Sequence, residues 1–128
     1  MKDNGAKRIL VIEDDAFLMD AYKVKLQQSK YGILFAQDGE AGLDIARRER
    51  PDVIILDLVL PKMSGVDVLK ALKDGDDTKD IPVIVASNLD QKKMIEETKA
   101  LGAADYFIKS NISINELIEK LDSYLSKP

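Results

Sequence analysis

The sequence of 128 residues contains no cysteine and no histidine. Without cysteine, disulfides, thiol nucleophiles and zinc–thiolate sites are excluded. Without histidine, the chain cannot act as a phosphohistidine donor, and it lacks the commonest general base. Tryptophan is absent too, and aromatic residues make up only 5% of the chain, so a surface that stacks nucleic-acid bases is not expected. A net charge of −4 also argues against direct binding of nucleic acid.

Long hydrophobic runs are missing as well. The longest purely apolar runs have four residues, as in Val53–Leu56, whereas a membrane-spanning helix needs about 20. The start of the chain, Met1 to Ala6, is short and polar and does not resemble a signal peptide. We therefore expect a single domain with no membrane span, located in the cytoplasm.

Short apolar runs alternate with helical patterns five times along the chain. The runs are Ile9–Ile12, Ile33–Ala36, Val53–Leu56, Val83–Ala86 and Tyr106–Ile108. Several are apolar at every position, which is typical of strands that helices cover on both faces. Helices are predicted over Phe17–Ser29, Glu40–Arg50, Val66–Asp74, Gln91–Leu101 and from the capping box Ser113-x-x-Glu116 to Leu125. Five such units predict an α/β fold, with one doubly wound, five-stranded parallel sheet.

Candidate functional side chains follow the first, third, fourth and fifth apolar runs, where the chemistry of a parallel sheet is normally found. They are Glu13, Asp14 and Asp15 after the first run, Asp57 after the third, Ser87 after the fourth and Lys109 after the fifth. If the first and third strands are neighbours, the carboxylates converge and repel one another unless a cation lies among them. Oxygen ligands without histidine or cysteine favour Mg²⁺. With a lysine and a hydroxyl alongside, these groups can place a phosphoryl group on an aspartate.

Five motifs, in order and each at a strand end, carry a resemblance to a known family. They are Ile9-Leu-Val-Ile-Glu-Asp-Asp15, Asp52-Val-Ile-Ile-Leu-Asp57, Leu60-Pro-Lys-Met-Ser-Gly65, Ile81-Pro-Val-Ile-Val-Ala-Ser87 and Ala100-Leu-Gly-Ala-Ala-Asp-Tyr-Phe-Ile-Lys109. The sequence resembles a response-regulator receiver domain of two-component signalling, of the chemotaxis-regulator-like kind, over about Arg8 to Leu125. The resemblance implies a flavodoxin-like (βα)5 fold with strand order 2-1-3-4-5.

The resemblance also implies roles for individual residues. Asp57 matches the phosphoacceptor, and Ser87 and Lys109 match the residues that contact the phosphoryl group. A bound Mg²⁺, with Mn²⁺ as the alternative ion, would be held by Glu13, Asp14, Asp57 and the backbone carbonyl of Val59. Tyr106 matches the aromatic residue that changes rotamer on phosphorylation, so that Ser87 and Tyr106 form the switch. Asp15 matches no ligand of the family and is interpreted as a charge at the start of a helix.

Partners follow from the same resemblance. A sensor histidine kinase or a histidine phosphotransfer protein would supply the phosphoryl group, and an effector would bind the face made of the fourth helix, fifth strand and fifth helix. We expect a monomer or a weak homodimer. The chain, residues 1–128, is interpreted as one receiver domain with a core over about 8–125 and no output domain. It would not be an enzyme, since it would assist only its own phosphorylation and dephosphorylation.

Other functions have weaker support from the residues. A degenerate receiver that acts as a constitutive binding module conflicts with the intact set of Asp14, Asp57, Ser87 and Lys109. A Mg²⁺-dependent phosphohydrolase with an aspartyl-phosphate intermediate usually has an acid two residues after its nucleophile, where this chain has Val59. A carrier of flavin mononucleotide needs a loop rich in glycine and hydroxyl groups after the first strand, where acids stand instead.

One position departs from the family pattern. Receiver domains usually have a proline, joined through a cis peptide, where this chain has Ser110 after Lys109. A cis bond before a residue other than proline costs about 2.5–4 kcal/mol. Two alternatives therefore stay open: a cis bond maintained by the surrounding packing, or a trans bond with a different loop.

Overall fold

A computed structural model describes residues 6–126 of the chain. Five strands alternate with five helices, as predicted, and each element ends within two residues of the predicted limit. The strands are β1 Arg8–Ile12, β2 Gly32–Ala36, β3 Val53–Leu56, β4 Val83–Ser87 and β5 Asp105–Ile108. The helices are α1 Ala16–Gln27, α2 Gly39–Glu49, α3 Gly65–Asp74, α4 Lys92–Ala100 and α5 Ile114–Leu125, with a 3-10 turn at Lys109–Asn111 before α5. No helix within residues 6–126 is both long and apolar enough to cross a membrane.

The five strands form one parallel sheet in the order β2-β1-β3-β4-β5. This order confirms the one implied by the resemblance. In the register of the sheet, Ile12 lies opposite Ala36 on one side and Leu56 on the other. Ser87 lies opposite Ile108. Because all the strands run in the same direction, the residues that follow them meet at one end of the sheet, where the carboxyl ends of the strands lie.

Helices cover both faces of the sheet, which explains why the central strands are apolar at every position. Successive side chains of a strand point to opposite faces. In β1, Ile9 and Val11 therefore pack in a cluster with side chains of α1 and α5, whereas Leu10 and Ile12 pack with side chains of α2 and α3. All four are 0% exposed. A side chain buried in this way contributes about 1.5–3 kcal/mol, so β1 anchors both halves of the core.

Side chains with an oxygen acceptor cap the starts of α1 and α5, next to the carboxyl ends of the strands. Asp15 accepts a hydrogen bond from the backbone N–H of Leu18 at 3.1 Å, so it caps α1. This agrees with its interpretation as a charge at a helix start. At α5 the predicted capping box is complete, with Ser113 and Glu116 each accepting from the other's backbone N–H. These caps determine the residue at which each helix begins after the chain leaves the carboxyl end of the sheet.

The start of α3 lies directly against the end of β3, and Gly65 makes this approach possible. A Cβ atom at Gly65 would lie 2.2 Å from the carbonyl oxygen of Asp57 and 2.5 Å from the Cα of Leu58. The Gly65 N–H also donates to the Leu58 carbonyl at 2.9 Å. Both close atoms belong to the backbone, so a side chain at this position has to displace the end of β3.

We therefore expect Gly65→Ala to lower the free energy of unfolding by about 3 kcal/mol, because overpacking against backbone cannot be relieved by a rotamer change. Urea denaturation followed by far-UV circular dichroism measures this difference. Gly32→Ala is the matched control, since the three atoms nearest to a Cβ there all belong to the Arg8 side chain, the closest at 2.9 Å, so that a side chain rather than backbone would have to move. An equal loss in both variants would contradict the steric explanation.

Candidate functional site

Two acidic residues lie side by side where β1 and β3 end. The Asp57 N–H donates to the Ile12 carbonyl at 3.1 Å, and the Glu13 N–H donates to the Ala36 carbonyl at 3.0 Å. These bonds continue the pairing of the strands by one residue. Glu13 is 3% exposed and Asp57 is 7% exposed. The neighbouring strands thus bring two carboxylates that are far apart in sequence close together, where both are almost fully shielded from water.

The ammonium group of Lys109 bridges these carboxylates. Its Nζ lies 2.7 Å from Oε1 of Glu13 and 2.8 Å from Oδ2 of Asp57. Lys109 follows β5, which is separated from β3 by β4, so its side chain reaches across the end of β4. Hydrogen bonds between ionised groups at these lengths are the strong ones in proteins. The structure therefore joins the predicted phosphoacceptor and the predicted lysine directly.

The remaining carboxylate oxygens of the pair accept backbone hydrogen bonds. Oδ1 of Asp57 accepts from the N–H of Val59 at 3.3 Å, and Oε2 of Glu13 accepts from the N–H of Asp15 at 3.0 Å. Each carboxylate is thus held at both oxygens, which fixes its orientation. The Val59 side chain itself points outward and is 61% exposed.

Burial and charge act against each other on the pKa values of this group. Burial raises the pKa of Glu13, and the nearby charge of Asp57 raises it further, while the contacts with Lys109 and the Asp15 N–H offset only part of this. Burial alone would lower the pKa of Lys109, but its hydrogen bonds to Asp57 and Glu13, together with the negative charges of these two groups, outweigh that effect and raise it. Lys109 is therefore positively charged at neutral pH and serves as a counter-ion.

The third predicted acidic ligand is placed differently. Asp14 is exposed, although it directly follows the buried Glu13. Across residues 6–126, no three acidic side chains are gathered in an arrangement that could already hold a metal ion. The donor chemistry still suits a hard cation, because the candidates are carboxylate oxygens and a backbone carbonyl. Glu13, Asp14 and Asp57 carry three negative charges against the one positive charge of Lys109, which leaves a formal charge of −2.

The predicted switch residues lie next to each other on β4 and β5. Ser87, at the end of β4, is 0% exposed, and its Oγ accepts from the N–H of Leu89 at 3.3 Å. Tyr106 pairs in register with Val85, and its hydroxyl donates to the Leu89 carbonyl. Burial is the main cause that raises the pKa of Tyr106, followed by the negative charges of Asp57 and Asp90. Ser87 and Tyr106 therefore meet at the same loop residue.

Sequence reasoning missed Asn88 as a residue of this site. Its side-chain Oδ1 accepts a hydrogen bond from the N–H of Ser110 at 3.1 Å. Within residues 6–126 no peptide bond is cis, so the Lys109–Ser110 bond is trans. Of the two alternatives left open, the trans bond with a different loop is the one observed. The only signal in the sequence was the missing proline at 110, since a proline would have no N–H to donate.

The family comparison identifies the class of protein that this fold and site define. The family model described as "Response regulator receiver domain" matches residues 9–122 of the chain. The chain therefore belongs to the response-regulator receiver domains of two-component signalling.

Individual relatives agree with this assignment. The chain is 35% identical over 119 residues to the polar-differentiation response regulator DivK of Brucella anthropi, with 93% of this chain and 96% of that protein covered. It resembles the Francisella response regulator 1452 receiver domain at 29% identity and a TM-score of 0.86, with 94% and 97% covered. It also resembles the Mn²⁺-bound form of response regulator Rcp1 at 26% identity and a TM-score of 0.83, with 95% and 96% covered.

The bridging lysine leads to a test of stability. Lys109→Met leaves Glu13 and Asp57 without a positive partner, so we expect the free energy of unfolding at pH 7 to fall by about 3 kcal/mol. Urea denaturation measures the effect. Lys79→Met is the control, because Lys79 is an exposed lysine that pairs with Asp76 at 3.9 Å, and its loss should cost less than about 1 kcal/mol. A Lys109 variant as stable as that control would contradict the electrostatic role.

Proposed function

We propose that the chain is a phosphorylation-dependent switch that accepts a phosphoryl group on Asp57 from the phosphohistidine of a sensor histidine kinase or a histidine phosphotransfer protein. The observation that carries this proposal is the 2.8 Å contact between Lys109 and the buried carboxylate of Asp57. Ser87 stands at the end of the adjacent strand. The nucleophilic carboxylate of Asp57, the ammonium group of Lys109 and the hydroxyl of Ser87 therefore lie at the same end of the sheet.

The transfer itself follows from these groups. A carboxylate oxygen of Asp57 attacks the phosphorus, a P–O bond forms, and the P–N bond to the donor imidazole breaks with its electron pair remaining on nitrogen. The new acyl phosphate places its negative oxygens where Lys109 can balance them and where the Ser87 hydroxyl can donate. Fixed groups of this kind stabilise charge without having to reorient during the reaction. The chain assists only its own phosphorylation and dephosphorylation and is in that sense not an enzyme.

A divalent cation belongs to this proposal as the cofactor. The residues that would hold it are Glu13, Asp14, Asp57 and the carbonyl of Val59, and the formal charge of −2 suits Mg²⁺, with Mn²⁺ as an alternative. When bound, such an ion supplies positive charge beside the transferred phosphoryl group. The resemblance to the Mn²⁺-bound form of Rcp1 supports a divalent ion.

The output surface proposed here is the face of α4, β5 and α5. Tyr106 links this face to the site, since it lies on β5 and bonds to the Leu89 carbonyl just beyond Ser87. A Ser87 hydroxyl drawn toward a phosphoryl group changes the space next to the tyrosine ring. The switch is then a shift between two packed arrangements. The chain would act as a single receiver domain in the cytoplasm, as a monomer or a weak homodimer.

Phosphorylation can be tested directly. With a small acyl-phosphate donor and Mg²⁺, intact-mass measurement should show one added phosphoryl group, and chelation of the metal should abolish it. Asp57→Asn should remove the label, while Asp76→Asn, at a carboxylate whose side chain is 99% exposed, should keep it. Equal labelling of the Asp57 variant would disprove the assignment. An unlabelled native chain would instead favour a constitutive binding module.

The proposed metal ligands include Asp14 but not the adjacent Asp15, and this difference can be tested. Asp14→Asn should weaken Mg²⁺ binding about tenfold, because it removes a charged oxygen ligand, whereas Asp15→Asn should change binding little, because Asp15 caps α1. Isothermal titration with Mg²⁺, alone and with beryllofluoride as a phosphoryl mimic, measures both. Binding should be tighter with beryllofluoride. Equal losses in the two variants would show that the ligand position is wrong by one residue.

The proposed output face predicts how far from Asp57 the conformational change extends when a phosphoryl mimic binds. Amide chemical shifts should change on addition of beryllofluoride from Ser87 through Tyr106 and into α5. Tyr106→Phe keeps the ring but removes the hydroxyl that binds the Leu89 carbonyl, so it should reduce the shifts in α4 and α5 and leave those around Asp57. Shifts limited to the loops around Asp57 in the native chain would argue against the switch.

A further inference from the structure

The residues that follow Ser87 and Lys109 are hydrogen-bonded to each other. In the sheet, the last register pair of β4 and β5 is Ser87 with Ile108. Beyond that pair, Oδ1 of Asn88, one residue after Ser87, accepts the N–H of Ser110, two residues after Ile108, at 3.1 Å. A side chain thus continues the pairing of the two strands past their ends. Ser87 and Lys109, which make the proposed phosphoryl contacts, are therefore linked by a hydrogen bond between the residues that follow them.

The Ser110 N–H needs a partner of this kind. Lys109–Asn111 is a 3-10 turn, and the first N–H groups of such a turn have no acceptor inside it. In a receiver domain with proline at this place the donor does not exist. Here the trans Lys109–Ser110 peptide presents the N–H to the β4–α4 loop. Asn88 supplies the acceptor for it.

The contact also joins a weakly packed strand to a strongly packed one. Every residue of β4 is buried, whereas every residue of β5 is only half-buried and β5 lies at the edge of the sheet. Lys109 is therefore presented by the less constrained of the two strands. The loop that contains Asn88 is itself held on both sides, because the Leu89 N–H donates to Ser87 Oγ and the Leu89 carbonyl accepts from the Tyr106 hydroxyl.

We propose that Asn88 is a positioning residue, which through the Ser110 N–H holds Lys109 where its ammonium group reaches Glu13 and Asp57. Asn88 itself is exposed, and its side-chain oxygen accepts from Ser110 rather than bonding to either carboxylate. Its effect is to preorganise the lysine, so that less order has to be imposed when a phosphoryl group arrives. The consequence for phosphoryl binding rests on the proposed function, whereas the placement of Lys109 does not.

The placement is tested by nuclear magnetic resonance on the chain without any phosphoryl mimic. In Asn88→Ala, hydrogen exchange of the Ser110 amide and of the Lys109 ammonium group should both become faster, by about two- to tenfold, as expected for loss of one hydrogen bond. Asn88→Asp keeps an oxygen acceptor and should restore the protection of Ser110. Asn111→Ala changes the same residue type in the adjacent turn, and Ser110→Ala keeps the N–H, so both should resemble the native chain.

The second measurement is the affinity for beryllofluoride in the presence of Mg²⁺. It should be about two- to tenfold weaker in Asn88→Ala than in Asn111→Ala. Unchanged exchange of the Lys109 ammonium group in Asn88→Ala would overturn the proposal even if the Ser110 amide exchanges faster, and so would equal beryllofluoride affinity in the two alanine variants when the native chain binds beryllofluoride. If the native chain binds no beryllofluoride while the exchange rates respond as expected, the proposed function fails and the positioning role stands.

Discussion

The contact of one lysine with two buried carboxylates governs how this end of the sheet is built. Glu13 and Asp57 are neighbours because β1 and β3 are adjacent strands, and both are almost fully shielded from water. Two such charges repel strongly in a dry environment. The Lys109 ammonium, 2.7 Å from one and 2.8 Å from the other, offsets that repulsion. The three side chains therefore form one electrostatic unit, which stabilises this end of the sheet and on which the proposed phosphorylation rests.

The rest of the fold keeps this unit in register. The central strands β1, β3 and β4 are buried between helices, so the acids and Ser87 stand on a rigid base. Lys109 arrives from the edge strand β5, where packing is weaker. Hydrogen bonds of the β4–α4 loop compensate for this, with Asn88 bound to the Ser110 N–H and Leu89 bound to the Tyr106 hydroxyl. The same loop thus connects the carboxylate site with the face proposed for effectors.

Elements with strong local patterns could be predicted from the sequence. The strand Val53–Leu56 has the predicted limits, and the capping box of Ser113 and Glu116 begins α5 as these residue types indicate. Both depend on an uninterrupted apolar run or on residues three apart. The order of the strands could not be read from such patterns, because it depends on contacts between distant segments. It followed from the resemblance to receiver domains, which the family comparison confirms.

The sequence alone determines which side chains follow the strands at the carboxyl end of the sheet, but the fold decides which of them come into contact. Glu13 and Asp14 are adjacent acids, yet Glu13 is 3% exposed while Asp14 faces solvent, because the Glu13 N–H still bonds to Ala36 of β2 whereas Asp14 lies in the loop beyond the sheet. Asn88 and Ser110 are 22 residues apart, and their bond uses a backbone N–H that no pattern of side chains reveals. It forms because β4 and β5 are parallel neighbours that end together, a long-range pairing that local residue preferences do not encode.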